Sequence, residues 1–448
     1  MTFPKDFVWG TATSSYQIEG GGLEYGRGVS IWDTFSKTEG NVYQGHTGDV
    51  ACDHIHRYAE DVQIMKDLGV DAYRFSIAWG RILPTGTGVI NEQGLDFYSR
   101  LIDELLTADI TPHITLYHWD LPQALQDRGG WENPDSIEWF ANYTRIISEC
   151  YGDRVKNWIT HNEPFVISML GNLMGIHAPG KKDPVAAFTV AHHLLISHGA
   201  AVPIIREFSA DAEVGITLDQ SYSMPLTDSW EDRQAASRLA NFHNDWFLEP
   251  VFKGTYPTEI IQLLEPHGIF KNIDLSDISK AKVPTDFLGI NYYTRSVVSH
   301  DPDDEFLQLK HHRLEDVPRT DFDWEVYPDG LFHTLMYLHS AYYPAKIYIT
   351  ENGASYDDPE PADGTVDDPK RKAYFESHID AVERACDNGA SVAGYFAWSL
   401  LDNFEWAEGY KRRFGLVHVD FDTQVRTPKS SALYYRDRIK AEREKLGL

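Results

Sequence analysis

Tyr58-Ala59-Glu60-Asp61-Val62-Gln63-Ile64-Met65-Lys66-Asp67-Leu68-Gly69-Val70-Asp71-Ala72-Tyr73-Arg74-Phe75-Ser76-Ile77 reads as one helix followed by one strand. From Tyr58 to Leu68 the apolar side chains recur at a spacing near 3.6, and Gly69 stands where a helix needs its stop. From Ala72 to Ile77 aromatic and β-branched residues take over, which suits a buried strand. Outward from this unit, similar strand-like runs fall at residues 7–11, 111–117, 158–162, 214–218, 287–291, 347–351 and 392–398, making eight in all. Amphipathic stretches at residues 95–106, 137–150, 185–208 and 370–388 lie between them. Strand and helix alternating eight times predict a single-domain α/β fold over residues 1–448, a (β/α)8 TIM barrel with long βα loops. A doubly wound open sheet is the alternative, but no Gly-x-Gly-x-x-Gly follows the first run. The polar segments 299–321 and 357–368 read as solvated loops within one fold.

Composition narrows the function. Lys and Arg total 40 against 68 Asp and Glu, a net charge of −28. Phosphate surfaces would repel such a chain, so neither nucleic acid nor an anionic membrane is expected as partner. Hydrophobic residues make up 42% and charged residues 24%, enough for a large core. The three cysteines, Cys52, Cys150 and Cys386, are too scattered for a disulfide scaffold or a Cys-based zinc site. No apolar run approaches the ~20 residues of a membrane span. The start, Met1-Thr2-Phe3-Pro4-Lys5-Asp6, lacks the pattern of a secretion signal, so the expected location is the cytoplasm. Oligomeric state is left open. Aromatic residues reach 13%, which fits either a big core or a cleft whose rings stack on sugars.

In a barrel, reactive groups belong at the carboxyl ends of the strands. The fourth run ends Thr160-His161-Asn162-Glu163-Pro164, and the seventh ends Ile349-Thr350-Glu351-Asn352-Gly353. The third delivers His118, the sixth Asn291 and Tyr293, the eighth Trp398 with Glu405 and Trp406 beyond it, and the first leads to Gln17. Two carboxyls among amides, an imidazole and indoles suit cleavage of a glycosidic bond. One acid protonates the leaving oxygen and a second faces the positive charge growing at the anomeric carbon. Arg74 sits inside the second strand, where a guanidinium needs a carboxylate partner. If that partner is Glu351, its pKa is lowered and it is the anion, leaving Glu163 protonated as the acid.

These residues also carry a resemblance. Phe7-Val8-Trp9-Gly10-Thr11-Ala12-Thr13-Ser14-Ser15-Tyr16-Gln17-Ile18-Glu19-Gly20 resembles the amino-terminal signature of glycoside hydrolase family one. Tyr73-Arg74-Phe75-Ser76, Tyr117-His118-Trp119-Asp120-Leu121-Pro122, Asn162-Glu163-Pro164, Ile349-Thr350-Glu351-Asn352-Gly353 and Trp398 through Trp406 continue it, in order, along essentially the whole chain. The resemblance implies a (β/α)8 enzyme that cleaves β-glycosides with retention, using Glu163 as acid/base and Glu351 as nucleophile. It implies a sugar site built from Gln17, His118, Asn162, Asn291, Tyr293, Trp398, Glu405 and Trp406. Tyr293 would orient Glu351, Trp398 would form the floor under the sugar, and Gln17 with Glu405 would clamp its far hydroxyls. No cofactor is needed, because carboxylates supply both the charge stabilisation and the proton transfer, and no metal is expected at His54, His56, His192 or His193.

The expected substrate is a small β-glucoside or oligosaccharide such as cellobiose, with some activity on galactosides or fucosides and some transfer to acceptor sugars. A carboxylate at Glu405 argues against the alternative of a phospho-β-glycosidase. The presence of both glutamates argues against a non-catalytic glycoside-binding relative. On the leaving-group side the candidates are Phe165, Val166, Asn172, His177, Asp219, Tyr222 and Trp324. Asp219 departs from the Asn often found in relatives, and His161 departs from a usual apolar residue. His161 bears on the acid if it points into the barrel, and only on packing if it faces a helix.

Overall fold

The computed structural model describes residues 3–447; Met1, Thr2 and Leu448, included in the readings above, lie outside the described residues. The barrel strands are β1 (Val8–Ala12), β2 (Ala72–Ser76), β3 (Thr111–Tyr117), β4 (Asn157–Asn162), β5 (Glu213–Asp219), β6 (Phe287–Asn291), β7 (Ile347–Asn352) and β8 (Val392–Trp398). They close in the order β1-β8-β7-β6-β5-β4-β3-β2, and every neighbouring pair is parallel. Each lies within one residue of its expected end. The helix expected from Tyr58 begins at His54 and ends at Leu68, where Gly69 takes φ 68° and donates to the carbonyls of Met65 and Lys66. That left-handed stop is what glycine provides without a Cβ penalty.

Two cores result. The larger lies between strands and surrounding helices. The smaller fills the lumen with Ala12, Ala72, Ile159, Phe287, Tyr348, Phe396 and Trp398. A Cβ on Gly10 would come within 2.3 Å of the Phe396 ring, so β1 yields its own side-chain volume to that ring. Register irregularities interrupt the pairing between Ile159 and Asn162 on β4 and between Ile349 and Glu351 on β7. Bulges of this kind re-aim side chains, and these two lie next to the two glutamates.

Three expectations need correction. Segment 299–321 is not simply a loop: the strand Arg295–His300 pairs antiparallel with Leu309–His312 and parallel with Tyr222–Pro225. The acidic residues between them build the turn, for the Asp304 carboxylate accepts the backbone N–H groups of Phe306, Leu307 and Leu309. Segment 357–368 is exposed at 357, 359–364 and 367 as expected, but it is pinned by buried acids, with Asp358 and Asp368 paired to Arg371 and Asp358 also to Lys429. Finally, the helix Pro184–Phe208 is long and apolar enough by composition to cross a membrane, although 89% of its most apolar window is buried inside the fold. It packs between the barrel and neighbouring helices, where apolar residues are needed all round.

Candidate active site

Both glutamates leave their strands at the same rim. Glu163 adopts φ 50°, a left-handed conformation rare for a residue with a side chain, and its N–H donates to the Thr217 carbonyl of β5 at 2.9 Å. Trp119 and Trp406, on the same cavity, also have positive φ. Backbone held in such regions clusters at functional sites because surrounding contacts must enforce it.

Arg74 organises the floor of this rim. It donates from Nη1 to Glu351 Oε1 at 2.6 Å and to the Thr350 carbonyl at 3.1 Å, from Nη2 to Asn162 Oδ1 at 2.6 Å, and from Nε to Thr115 Oγ1 at 3.1 Å. The Tyr293 hydroxyl donates to the other oxygen of Glu351 at 2.6 Å. Asn291 Nδ2 donates to Glu163 Oε1 at 2.6 Å and to Asn162 Oδ1 at 3.0 Å, while its own Oδ1 accepts from Thr350 at 2.8 Å. Glu351 thus has a cation and a phenol, and Glu163 has an amide.

The cavity above them measures about 620 Å³ and is lined by His118, Glu163, Tyr293, Glu351, Trp398, Glu405 and Trp406 among others. The His118 ring lies nearly parallel to Trp398 and Trp406, with centroids 6.0 Å from each. Phe165, Asp219 and Trp324 also line it, as do Val166 and His177. Trp324 stacks on Phe322 at 4.5 Å and meets Tyr293 at 5.3 Å. Gln17, Arg74, Asn162 and Asn291 are fully buried behind the wall. Gln17 Nε2 reaches Glu405 at 3.4 Å and the Phe404 carbonyl at 2.9 Å, so it braces Glu405 from behind.

Two leaving-group candidates fall elsewhere. The Asn172 side chain is buried against the Ile167 carbonyl, and Tyr222 stacks on Tyr327 and His333. His161 faces outward, bonding Ser197 at 2.8 Å and stacking on Phe140 at 4.4 Å, which is the packing role. Sequence reasoning gave Trp119 no role beyond its motif, and passed over Phe414 and above all His243, which lies far along the chain from any barrel strand end.

The acid-base balance also differs from expectation in one respect. Burial raises Glu351 despite Arg74, Tyr293 and Asn291, all of which favour its anion. Glu163 is raised well above the usual carboxylate range, by burial first and then by the negative charges of Asp219 and Glu351. Glu351 holds the cation, and Glu163 is the more strongly raised of the two. Glu405 is pushed up to about 8 by burial and by the charges of Glu351 and Glu408. Burial and Arg74 keep His118 neutral, its pKa well below the usual imidazole range.

A parallel barrel with two buried carboxyls, one of them ion-paired, over an indole-walled cavity has the equipment of a glycoside-cleaving enzyme. Known proteins agree. Residues 1–444 match the sequence profile of Glycosyl hydrolase family 1. The chain is 48% identical to "Beta-glucosidase A" of Acetivibrio thermocellus over 441 residues, 98% of each chain. The family 1 β-glucosidase of Thermotoga maritima, solved in complex with isofagomine lactam, superposes with a TM-score of 0.95 at 46% identity, covering 98% of this chain and 99% of that one. The AHE enzyme of Alicyclobacillus herbarius gives a TM-score of 0.95 at 51% identity, covering 99% and 98%. The chain belongs to glycosyl hydrolase family 1.

Proposed function

We propose that this chain is a retaining β-glucosidase that removes glucose from the non-reducing end of small β-glucosides. The observation that carries the reading is the unequal treatment of the two carboxyls. Both oxygens of Glu351 are held at 2.6 Å by Arg74 and Tyr293, whereas Glu163 has an amide donor and anionic neighbours. Glu351 attacks the anomeric carbon as Glu163 gives its proton to the departing oxygen, forming a glycosyl-enzyme. Glu163 then takes a proton from water, which attacks that intermediate and frees Glu351. Asn291 bonds Glu163 and also favours the Glu351 anion, so both carboxyls gather round one amide. That supports the short separation, ~5–5.5 Å, of a retaining pair over the ~6.5–9.5 Å that leaves room for water.

An unphosphorylated sugar fits best. Burial first, and then the charges of Glu351 and Glu408, push Glu405 up to about 8, and a 6-phosphate would meet those acidic groups with Arg74 already engaged by Glu351 and Asn162. Galactosides, fucosides and transfer to acceptor sugars are secondary activities of the same site. Three measurements test the reading. Proton NMR of the first-formed sugar shows the β anomer; the α anomer would show inversion. Glu351→Gln abolishes turnover, while Glu163→Ala is restored in part by azide on an aryl glucoside with a good leaving group. Faster turnover of a 6-phospho-β-glucoside than of its plain counterpart would overturn the sugar assignment.

A further inference from the structure

The β5 side of the cavity holds two side chains that this reaction does not use. Asp219 ends β5, two residues beyond Thr217, whose carbonyl receives the Glu163 N–H at 2.9 Å. Alternation along a strand puts Thr217 and Asp219 on one face, and Asp219 lines the cavity beside Glu163. His243 Nε2 donates to Asp219 Oδ2 at 2.9 Å. His243 comes from the π-helical turn Asn241–Asp245, inserted between the helices Trp230–Ala240 and Trp246–Phe252. Such insertions are frequent at functional sites. Its ring lies flat on Phe165, centroids 3.9 Å apart and 26° between planes, and Phe165 is two residues past Glu163. Strand backbone on one side and a ring stack on the other therefore clamp the pair next to Glu163.

We propose that Asp219 and His243 are positioning residues that set how firmly Glu163 holds its proton: the Asp219 carboxylate strengthens the hold, and His243, by donating to that carboxylate, limits it. The inference rests on Glu163 being the acid/base. Around Glu163 stand Asp219 and His243, Glu351 on β7 and Arg74 on β2. His118, His177, Tyr293, Glu405 and Glu408 line the same cavity. Arg74 is already engaged by Glu351 and Asn162. Asp219 exceeds Glu351 in raising Glu163. Asp219 and His243 keep 19% and 15% side-chain exposure, so the pair faces the cavity rather than the core.

The test is the pH profile of kcat/KM on 4-nitrophenyl β-glucoside, whose high-pH limb reports the acid. Asp219→Asn moves that limb down by roughly one pH unit, as loss of a neighbouring like charge requires. His243→Phe keeps the ring stack but removes the donor, and moves the limb up. The double variant behaves as Asp219→Asn alone, because no charge remains to be offset. The low-pH limb, set by Glu351, stays in place throughout. A high-pH limb that is unmoved in Asp219→Asn, or that moves the same way in both single variants, overturns the pair. Parallel movement of both limbs also overturns it, since that marks a general disturbance of the site. Glu163→Ala run alongside loses the high-pH limb; if the limb persists there, the assignment of Glu163 fails instead.

Discussion

Tyr293 shows how much a single hydroxyl contributes. Its phenol is one of two groups holding the Glu351 carboxylate, and a hydrogen bond to a charged group is worth about 1.5–3 kcal/mol. Tyr293→Phe should therefore lower kcat by about ten- to a hundredfold. Because the phenol favours the anion, its loss raises Glu351, and the low-pH limb of the rate profile moves up. A fall in kcat without that movement would give Tyr293 a packing role only. At this scale the sequence was informative about identity and less so about environment. Arg74 meets Glu351, the partner that its strand position had left conditional. The net rise of Glu351 was not legible, because burial is a property of the closed barrel and opposes what the guanidinium does. His161 was undecided for a related reason: the register irregularity after Ile159 sets which way β4 presents it.

Among the elements, the barrel strands were legible because aromatic and β-branched runs leave little choice once buried on both faces. The loops beyond them were not. Segment 357–368 looks solvated from its acidic composition, yet Arg371 is fully buried there and donates to Asp358, Asp368 and the carbonyls of Ala354, Tyr356 and Arg413. Lys429 joins Asp358 to Asp402 at 2.6 and 2.7 Å, tying the segment to the loop after β8 and to the start of the helix Ser430–Leu446. These acids are structural partners rather than a solvated face, and pairing between distant segments is invisible to a local reading. Removing one member of such a cluster strands the others. Arg371→Met should cost about 3–5 kcal/mol, measured by urea unfolding. Unchanged stability would mean that the cluster does not hold this segment. His243 was missed in the same way, since its partner lies across a long βα connection with helices of its own.

The whole molecule carries two opposed sets of buried titrating groups, and together they place its stability optimum. His113 and His198 are lowered to about 3, and His177, His192 and His378 to about 4, chiefly by burial. Below the ordinary imidazole value, near 6.5, the unfolded chain binds protons at these sites that the folded chain refuses, so stability rises with pH across that window. Asp120 and Glu405 are raised to about 7 and about 8, and Glu163 is raised as well. Between the ordinary carboxylate value and these raised ones the folded chain binds the extra protons, so stability falls as pH climbs. The histidines are more numerous and dominate on the acid side; the carboxyls take over above it. Melting temperature should peak at roughly pH 6–7 and decline in both directions. A plateau extending to pH 9 would contradict the raised carboxyls. The filled lumen has a kinetic counterpart. With Phe396, Tyr348 and Phe287 plugging the barrel beneath the reacting groups, the well is a cul-de-sac, and under the proposed chemistry whatever enters first must exit last. The detached aglycone departs before the sugar it uncovered, a polymer is shortened only from its tip, and accumulating glucose obstructs the same doorway that fresh substrate needs.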